Sequence, residues 1–219
     1  MGECTSVSAV LPFSPGEKLN YDVYFKRIHI GTAVLTFHGE KMLDDKIFYH
    51  ISFDTDVGLF KDRETIYAER NTFLPYRVLR RINQIGTFPY SIREEYDQNA
   101  FRVRIRKKGK FLSKKITIQK KAPIHNPILL PYYYRTLPFI RPEERIRVSL
   151  PLADFDVILK EEEVISTPLG EHKAYVFTSV PERFKFWLST DEERIPLKLE
   201  GVAGIGYSLV INSVERVPQ

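Results

Sequence analysis

The sequence contains only one cysteine, Cys4, among its 219 residues. An internal disulfide and a cysteine-rich metal site are therefore excluded. No apolar run approaches the roughly 18 residues that a membrane-spanning helix requires, so we expect no transmembrane segment. The five histidines show no metal-ligand spacing, and we predict neither a metal site nor a cofactor.

The usual signatures of catalysis are also missing. The sequence has no Gly-x-Ser-x-Gly nucleophile elbow and no glycine-rich phosphate-binding loop. Glu94 and Glu95 would lie on opposite faces of a strand, because side chains alternate along it, so this pair could not share one substrate. The sequence therefore favours a protein that is not an enzyme.

Basic residues are present in excess and are unevenly distributed. The net charge is +5, and residues 102–121 contain ten basic residues and no acidic one. Such a patch attracts anionic partners, which leaves anionic lipid and acidic glycan as candidates. Nucleic acid is disfavoured because no RNA-recognition signature appears. Alternatively, the lysines protect a sheet edge from association. The candidate patch comprises Arg102, Arg104, Arg106, Lys107, Lys108 and Lys110.

Aromatic residues make up 13% of the chain, and such residues favour β-sheet. Apolar residues alternate with polar ones over residues 19–25, 33–37 and 47–53. This period of two predicts three consecutive strands with one buried face. If the second and third strands pair across Asp44 and Asp45, His38 and His50 become diagonal neighbours on one face.

The same pattern continues along the chain and predicts about a dozen short strands. The fold class expected from their spacing is all-β and mainly antiparallel, as a strongly curled sheet or a barrel. The basic residues would form a β-hairpin, with Arg102, Arg104 and Arg106 on one face. Gly109 would supply a positive φ in its turn.

Residues 123–142 interrupt the strand pattern with five prolines, which cannot occupy a central strand. Pro131 suits the first turn of a short helix. Because the segment is rich in large apolar residues, we interpret it as a packed crossover within one domain of residues 13–219. Residues 1–12 are predicted to be a flexible leader, in which Cys4 is either a lipid-attachment residue or a remnant left after signal-peptide removal.

Aromatic residues of the crossover suggest a ligand site. A sheet covered by a helix can enclose an apolar cavity suited to lipid. The alternative is that these rings simply fill the core. The candidate ligand-binding residues are Tyr132, Tyr133, Tyr134 and Trp187, together with Phe139.

Five short motifs, taken together, carry a family resemblance. They are PGEKLNYDV at residues 15–23, GTA at 31–33, YYYR at 132–135, FWLSTD at 186–191 and IPLKL at 195–199. Their order and spacing resemble the domain of unknown function 3108 family, which consists of predicted exported bacterial proteins. The resemblance implies a removed signal peptide and a periplasmic or outer-membrane-associated location. It assigns no catalytic residue.

These observations lead to one expected function and two alternatives. We expect a non-catalytic accessory protein of the cell envelope that holds an apolar or amphiphilic, lipid-like ligand. The first alternative is a structural module of the periplasm that docks on another envelope protein through a strand edge. The second is an enzyme acting on glycans through carboxylates that the sequence does not reveal.

Overall fold

The computed structural model describes residues 11–137, 141–142, 144–201 and 206–217. These residues form fourteen strands and one short helix. The first eight strands are β1 (Glu17–Phe25), β2 (Ile28–Leu43), β3 (Lys46–Val57), β4 (Phe60–Ala68), β5 (Pro75–Gln84), β6 (Tyr90–Asp97), β7 (Arg102–Gly109) and β8 (Ser113–Gln119). Helix α1 (Leu130–Thr136) is followed by β9 (Arg145–Leu150), β10 (Ala153–Thr167), β11 (Gly170–Val180), β12 (Lys185–Ser189), β13 (Pro196–Glu200) and β14 (Tyr207–Glu215).

All fourteen strands belong to one antiparallel sheet. Its order is β8-β7-β6-β5-β4-β3-β2-β1-β14-β13-β12-β11-β10-β9, so the pairing of β1 with β14 joins two meanders. The all-β, antiparallel class is confirmed, as is a short helix in the crossover. A closed barrel or strongly curled sheet is not confirmed, because β8 and β9 end the strand order without pairing to each other.

One face of the sheet, called the inner face below, is buried along most strands. In β1 the inward residues are Glu17, Leu19, Tyr21 and Val23, each less than 5% exposed, as the alternating pattern predicts. Leu19 lies opposite Leu35 of β2 on one side and Val214 of β14 on the other. The inner-face residues of both meanders belong to a single apolar cluster.

Helix α1 packs between the two meanders. The ring of Tyr132 contacts Phe13 and Phe73, with centroids 4.9 and 6.2 Å away. The ring of Tyr134 lies 5.0 Å from both Phe177 and Phe186 on the opposite side. Pro131 occupies the first turn, as predicted. Within the described ranges no helix is long and apolar enough to cross a bilayer.

The crossover also links the two edges of the sheet. Lys120, directly after β8, pairs with Asp154 of β10 at 2.8 Å, and Ser149 of β9 donates its hydroxyl to the same carboxylate. His125 donates its backbone N–H to the carbonyl oxygen of Ser149. Side chains and one backbone hydrogen bond therefore join edges that no strand ladder joins.

Two local predictions have different outcomes. The rings of His38 and His50 stack on the outer face with centroids 4.3 Å apart, so their predicted proximity is confirmed. Burial lowers the pKa of His50 to about 4, which keeps this ring neutral at physiological pH.

The prediction for Gly109 is wrong, because its φ is not positive. A Cβ there would lie 3.3 Å from the Tyr90 Cβ, so its role is close packing.

A fully buried ion pair anchors α1 to the sheet. The guanidinium of Arg135 donates to both carboxylate oxygens of Glu17, at 2.6 and 3.0 Å, and both side chains are 0% exposed. Arg135 also donates to the backbone carbonyls of Glu193 and Pro12. These hydrogen bonds compensate the large cost of desolvating two charges.

We expect Arg135→Met to destabilise the protein by about 3–5 kcal/mol, because it leaves the Glu17 carboxylate buried without its counter-charge. The double variant Arg135→Met/Glu17→Gln should recover part of this loss. Free energies of unfolding from urea denaturation test both expectations.

The matched control is the exposed ion pair between Lys18 and Glu215. Lys18 follows Glu17 directly on β1. Lys18→Met should change the free energy of unfolding by about 0–1 kcal/mol. Equal effects of Lys18→Met and Arg135→Met would contradict an anchoring role for the buried pair.

Candidate ligand-binding cleft

Of the four aromatic residues predicted to bind a ligand, three lie on α1 and the fourth, Trp187, lies on the other face of the sheet. Tyr132 and Tyr134 are 1% and 0% exposed and fill the core around α1. Tyr133 is partly buried against the same cluster. Trp187 lies on the outer face, opposite its neighbour Phe186, and donates its indole N–H to Glu163. Phe139 lies outside the described residues.

The predicted basic patch forms the hairpin of β7 and β8 at one edge of the sheet. Arg102, Arg104 and Arg106 share its outer face, as predicted, and Arg102 pairs with Asp97 at 3.0 Å. Lys107 points to the inner face, where its Nζ lies 3.8 Å from the centroid of the Tyr90 ring. Lys108 and Lys110 lie at the turn. The patch is therefore divided between two faces and one end of the sheet.

The inner face leaves a large cleft beside the crossover. Its volume is about 730 Å³, within the range of about 300–1,000 Å³ typical of small-molecule sites. One wall comes from β3 to β7 and the other from residues 126–128 and the β9–β10 turn. More than half of the lining residues are apolar: Val23, Phe53, Val57, Phe60, Ile105, Pro127, Ile128, Leu150, Pro151, Leu152, Ala153 and Leu209.

A smaller apolar cavity of about 180 Å³ adjoins this cleft. The two share Pro127, Leu150 and Ala153 in their walls. The smaller one extends toward the second meander, where Phe155, Phe184, Phe186 and Leu199 line it. The two cavities are therefore neighbours on the inner face, with Ala153 at their common wall.

A cluster of charged side chains interrupts the apolar wall of the cleft. Glu64 of β4 lies opposite Arg80 of β5, and its Oε2 is 3.2 Å from Arg80 Nε. Arg80 also contacts the Asp62 carboxylate. Asn126 of the crossover donates to Glu64 Oε1 at 3.3 Å. The β-pleat explains this grouping, because Asp62 and Glu64 are two residues apart and share one face.

The third carboxylate of the cluster is Glu94 of β6. Its Oε2 accepts a hydrogen bond from the hydroxyl of Tyr96 at 2.5 Å. Three carboxylates (Asp62, Glu64 and Glu94) thus line the cleft with one cation, Arg80. One oxygen of Asp62, Oδ1, is buried and has no hydrogen-bond partner. Arg80 Nε is also buried and, despite its ion pair with Glu64, makes no hydrogen bond, so the cluster contains both an unpaired acceptor and an unpaired donor.

Burial dominates the electrostatics of the cluster. It raises the pKa of Glu64 to about 7, although Arg80 and the Asn126 hydrogen bond oppose the change. Burial also raises the pKa of Glu94, against the hydrogen bond from Tyr96 and the charge of Arg80. Near neutral pH Glu64 can therefore be present in either form, so it can donate or accept a hydrogen bond.

This cluster is not visible in the sequence. The neighbour of Glu94 in the sequence, Glu95, lies on the other face of β6, as predicted, and pairs with Arg93. The available signal was the spacing of two residues in Asp62 and Glu64, and again in Glu94 and Tyr96. Only the strand register, which places β4, β5 and β6 side by side, brings these pairs together.

The raised pKa of Glu64 predicts a pH-dependent stability. Its folded pKa of about 7 exceeds the ordinary value of about 4.3, so protonation favours the folded state. This contribution is complete at pH 4 and is lost as the pH rises through 7. Between pH 5 and 8 we expect the wild type to lose about 2–3 kcal/mol relative to Glu64→Gln, measured by urea unfolding at each pH.

Glu95→Gln is the matched control, since the hydrogen bond from Arg93 lowers the pKa of Glu95. A lowered pKa contributes stability that disappears only on acidification below the ordinary range, so the difference from wild type should stay constant between pH 5 and 8. A constant difference for Glu64→Gln as well would refute the assignment of Glu64.

Comparison with known proteins identifies the family. The model described as "Protein of unknown function (DUF3108)" matches residues 20–211. No curated protein and no solved structure matches the chain. Three of the segments that carry the resemblance meet in the fold: Arg135 bonds Glu17, and Tyr21 donates to the carbonyl of Pro196. The chain belongs to the DUF3108 family of proteins of unknown function.

Proposed function

We propose that this protein is a non-catalytic accessory protein of the cell envelope that holds an amphiphilic ligand in the cleft. The observation that carries the proposal is the cleft itself, with its apolar walls and a single polar cluster. Sites for small molecules combine these two features, because apolar surface supplies affinity and a few polar groups fix orientation.

The chemistry of the cleft favours a particular kind of ligand. Three carboxylates face one arginine, so a headgroup with a net negative charge would be repelled, whereas an ammonium or hydroxyl group could donate to the carboxylates of Asp62 and Glu64. The apolar part of the ligand would contact Phe53 and Phe60 and could extend toward Ala153 and the smaller cavity. The ligand class is therefore an amphiphile whose polar group donates hydrogen bonds.

Two further features support a container in the envelope. The cleft is lined by residues of both meanders, including Phe53 of β3, Ile105 of β7, Leu150 of β9 and Leu209 of β14, which supports a sheet that curls around its contents. The resemblance to predicted exported proteins supports an envelope location, which would expose the protein to lipids on their way between membranes.

The proposal is tested with protein purified from a bacterial host that has an envelope. Native mass spectrometry should detect a co-purifying lipid. The delipidated protein should bind lysophosphatidylethanolamine more tightly than lysophosphatidic acid, because only the former carries an ammonium group. Absence of both a bound lipid and any binding of these probes would overturn the proposal.

Ala153→Trp provides a direct test of the cavity, because Ala153 lines both the cleft and the smaller cavity. The indole should fill the space where the two cavities adjoin. It should weaken binding of the ethanolamine probe by roughly tenfold or more, since it displaces apolar contacts between ligand and cleft worth about 1–3 kcal/mol. The control is Leu169→Trp in the β10–β11 turn, 40% exposed, which should leave binding unchanged. Equal losses in the two variants would argue against the cleft.

The carboxylate cluster also favours a second candidate, a glycan-acting enzyme. A carboxyl group with a pKa near 7 is suited to general acid catalysis, and Glu64 has this property beside a second carboxyl, Glu94. Incubation with cell-wall glycan should then release reducing ends, and Glu64→Gln should abolish the release. If wild-type protein releases none, this candidate is rejected while the binding proposal stands.

A further inference from the structure

Three neighbouring hairpins end at the same side of the sheet. Consecutive strands run antiparallel from β3 to β8, so the turns β3–β4, β5–β6 and β7–β8 all lie at one end. The backbone N–H of Ile85 donates to the carbonyl of Leu59, which places the first two turns in contact. The rings of Phe88 and Phe111 lie 5.4 Å apart and connect the second turn with the third.

These three turns expose five large apolar side chains, together called the tip ridge below. Contiguous exposed apolar residues mark interaction sites, because a soluble protein gains nothing by leaving them in water. The ridge consists of Leu59 (65% exposed), Ile85 (69%), Phe88 (57%), Phe111 (80%) and Leu112 (46%).

The charged residues within the three turn segments are all lysines. Residues 57–61, 84–90 and 107–113 contain four lysines and no acidic residue. Lys61 pairs with Asp56 just outside these segments. Within the described part of the chain, Lys107, Lys108 and Lys110 have no ion-pair partner. The Nζ of Lys110 lies 4.5 Å from the centroid of Phe88 and 5.2 Å from that of Phe111, so cation and apolar rings are presented together.

The turns at the opposite end of the same strands differ in chemistry. The three turns at that end, residues 44–45, 69–74 and 98–101, carry three carboxylates and one arginine. Their large apolar residues, Phe73, Leu74 and Phe101, are buried or partly buried. Met42 and Ile47, beside the first of these turns, are exposed but flank Asp44 and Asp45. Exposed apolar turn residues accompanied by lysines and no carboxylate therefore occur at only one end of these described hairpins.

We propose that the tip ridge docks on an anionic lipid surface. Apolar side chains surrounded by lysines match the bilayer interface, where the former enter the acyl region and the latter meet phosphate groups. The ridge lies on three adjoining turns at one end of the strands, so its side chains can meet a membrane surface together. This inference goes beyond ligand binding in the cleft and does not require it.

Docking would also orient the cleft. Phe60 and Gln84 line the cleft, and each is adjacent in sequence to a ridge residue, Leu59 and Ile85. Leu152, also at the cleft, is 89% exposed. A protein docked through the ridge therefore brings one rim of the cleft close to the membrane surface.

Co-sedimentation with vesicles tests the proposal. Wild-type protein should bind vesicles that contain phosphatidylglycerol and should bind pure phosphatidylcholine vesicles far more weakly. Leu59→Asp/Phe111→Asp should weaken binding to the anionic vesicles by roughly tenfold or more, since two apolar side chains that would enter the bilayer on docking are lost. Lys108→Gln/Lys110→Gln should weaken it by about fivefold per lysine and reduce its salt dependence.

The matched control is Met42→Asp/Ile47→Asp at the opposite end, where both residues are exposed (68% and 43%). This variant should bind anionic vesicles like the wild type. Because all substituted side chains are exposed, circular dichroism and melting temperature should not change. No binding to anionic vesicles, equal binding to neutral ones, or equal losses in ridge and control variants would overturn the proposal.

Ligand binding in the cleft and membrane docking through the tip ridge can be refuted independently of each other. Ridge variants should still bind lysophosphatidylethanolamine in the cleft, whereas Ala153→Trp should still sediment with anionic vesicles. Loss of vesicle binding without loss of probe binding therefore concerns the ridge alone.

Discussion

The pairing of Arg135 with Glu17 is the constraint on which the arrangement of the interior depends. Neither charge could remain in the core without the other, because the cost of desolvation would be uncompensated. The pair therefore fixes the seven-residue helix at the start of β1, between aromatic rings of both meanders. With the helix held there, the chain that precedes it must cross the inner face, and residues 126–128 become a wall of the cleft. The position of the cleft is thus a consequence of the anchor.

The cleft and the anchor use charge in contrasting ways. Around Arg135 every carboxylate oxygen and three guanidinium nitrogens have partners, so the group is rigid and closed to further ligands. Around Arg80 three carboxylates compete for one cation, and Asp62 Oδ1 has no partner. The first arrangement stabilises the fold. The second leaves hydrogen-bonding capacity unused, which is typical of sites that act on something outside the chain.

The sequence predicts the all-β class and most of the strands because alternation is a local property, visible in runs such as Leu19 to Phe25. The helix at Pro131 and the proximity of His38 and His50 can also be predicted from the sequence, since each depends on short segments. The cleft cannot be predicted in this way, because Asp62, Glu64, Arg80 and Glu94 come from three strands whose register only the folded chain defines. Trp187 illustrates the same limit: its side chain points away from the helix because of strand parity, which a composition argument ignores. The absence of ladder pairing between β8 and β9 likewise depends on how far each meander extends, and no local pattern encodes it.

The meander has one more consequence. Successive turns of an antiparallel meander lie at alternate ends of its strands. The two rims of the sheet, meaning the two sets of turns, are therefore formed by alternating, non-adjacent segments of the sequence. A substitution in the turn at Gly58 or Gly86 alters one rim and leaves the other, at Asp44 or Asn99, untouched. The two rims can therefore acquire different surface chemistry independently, without any change to the strands that connect them.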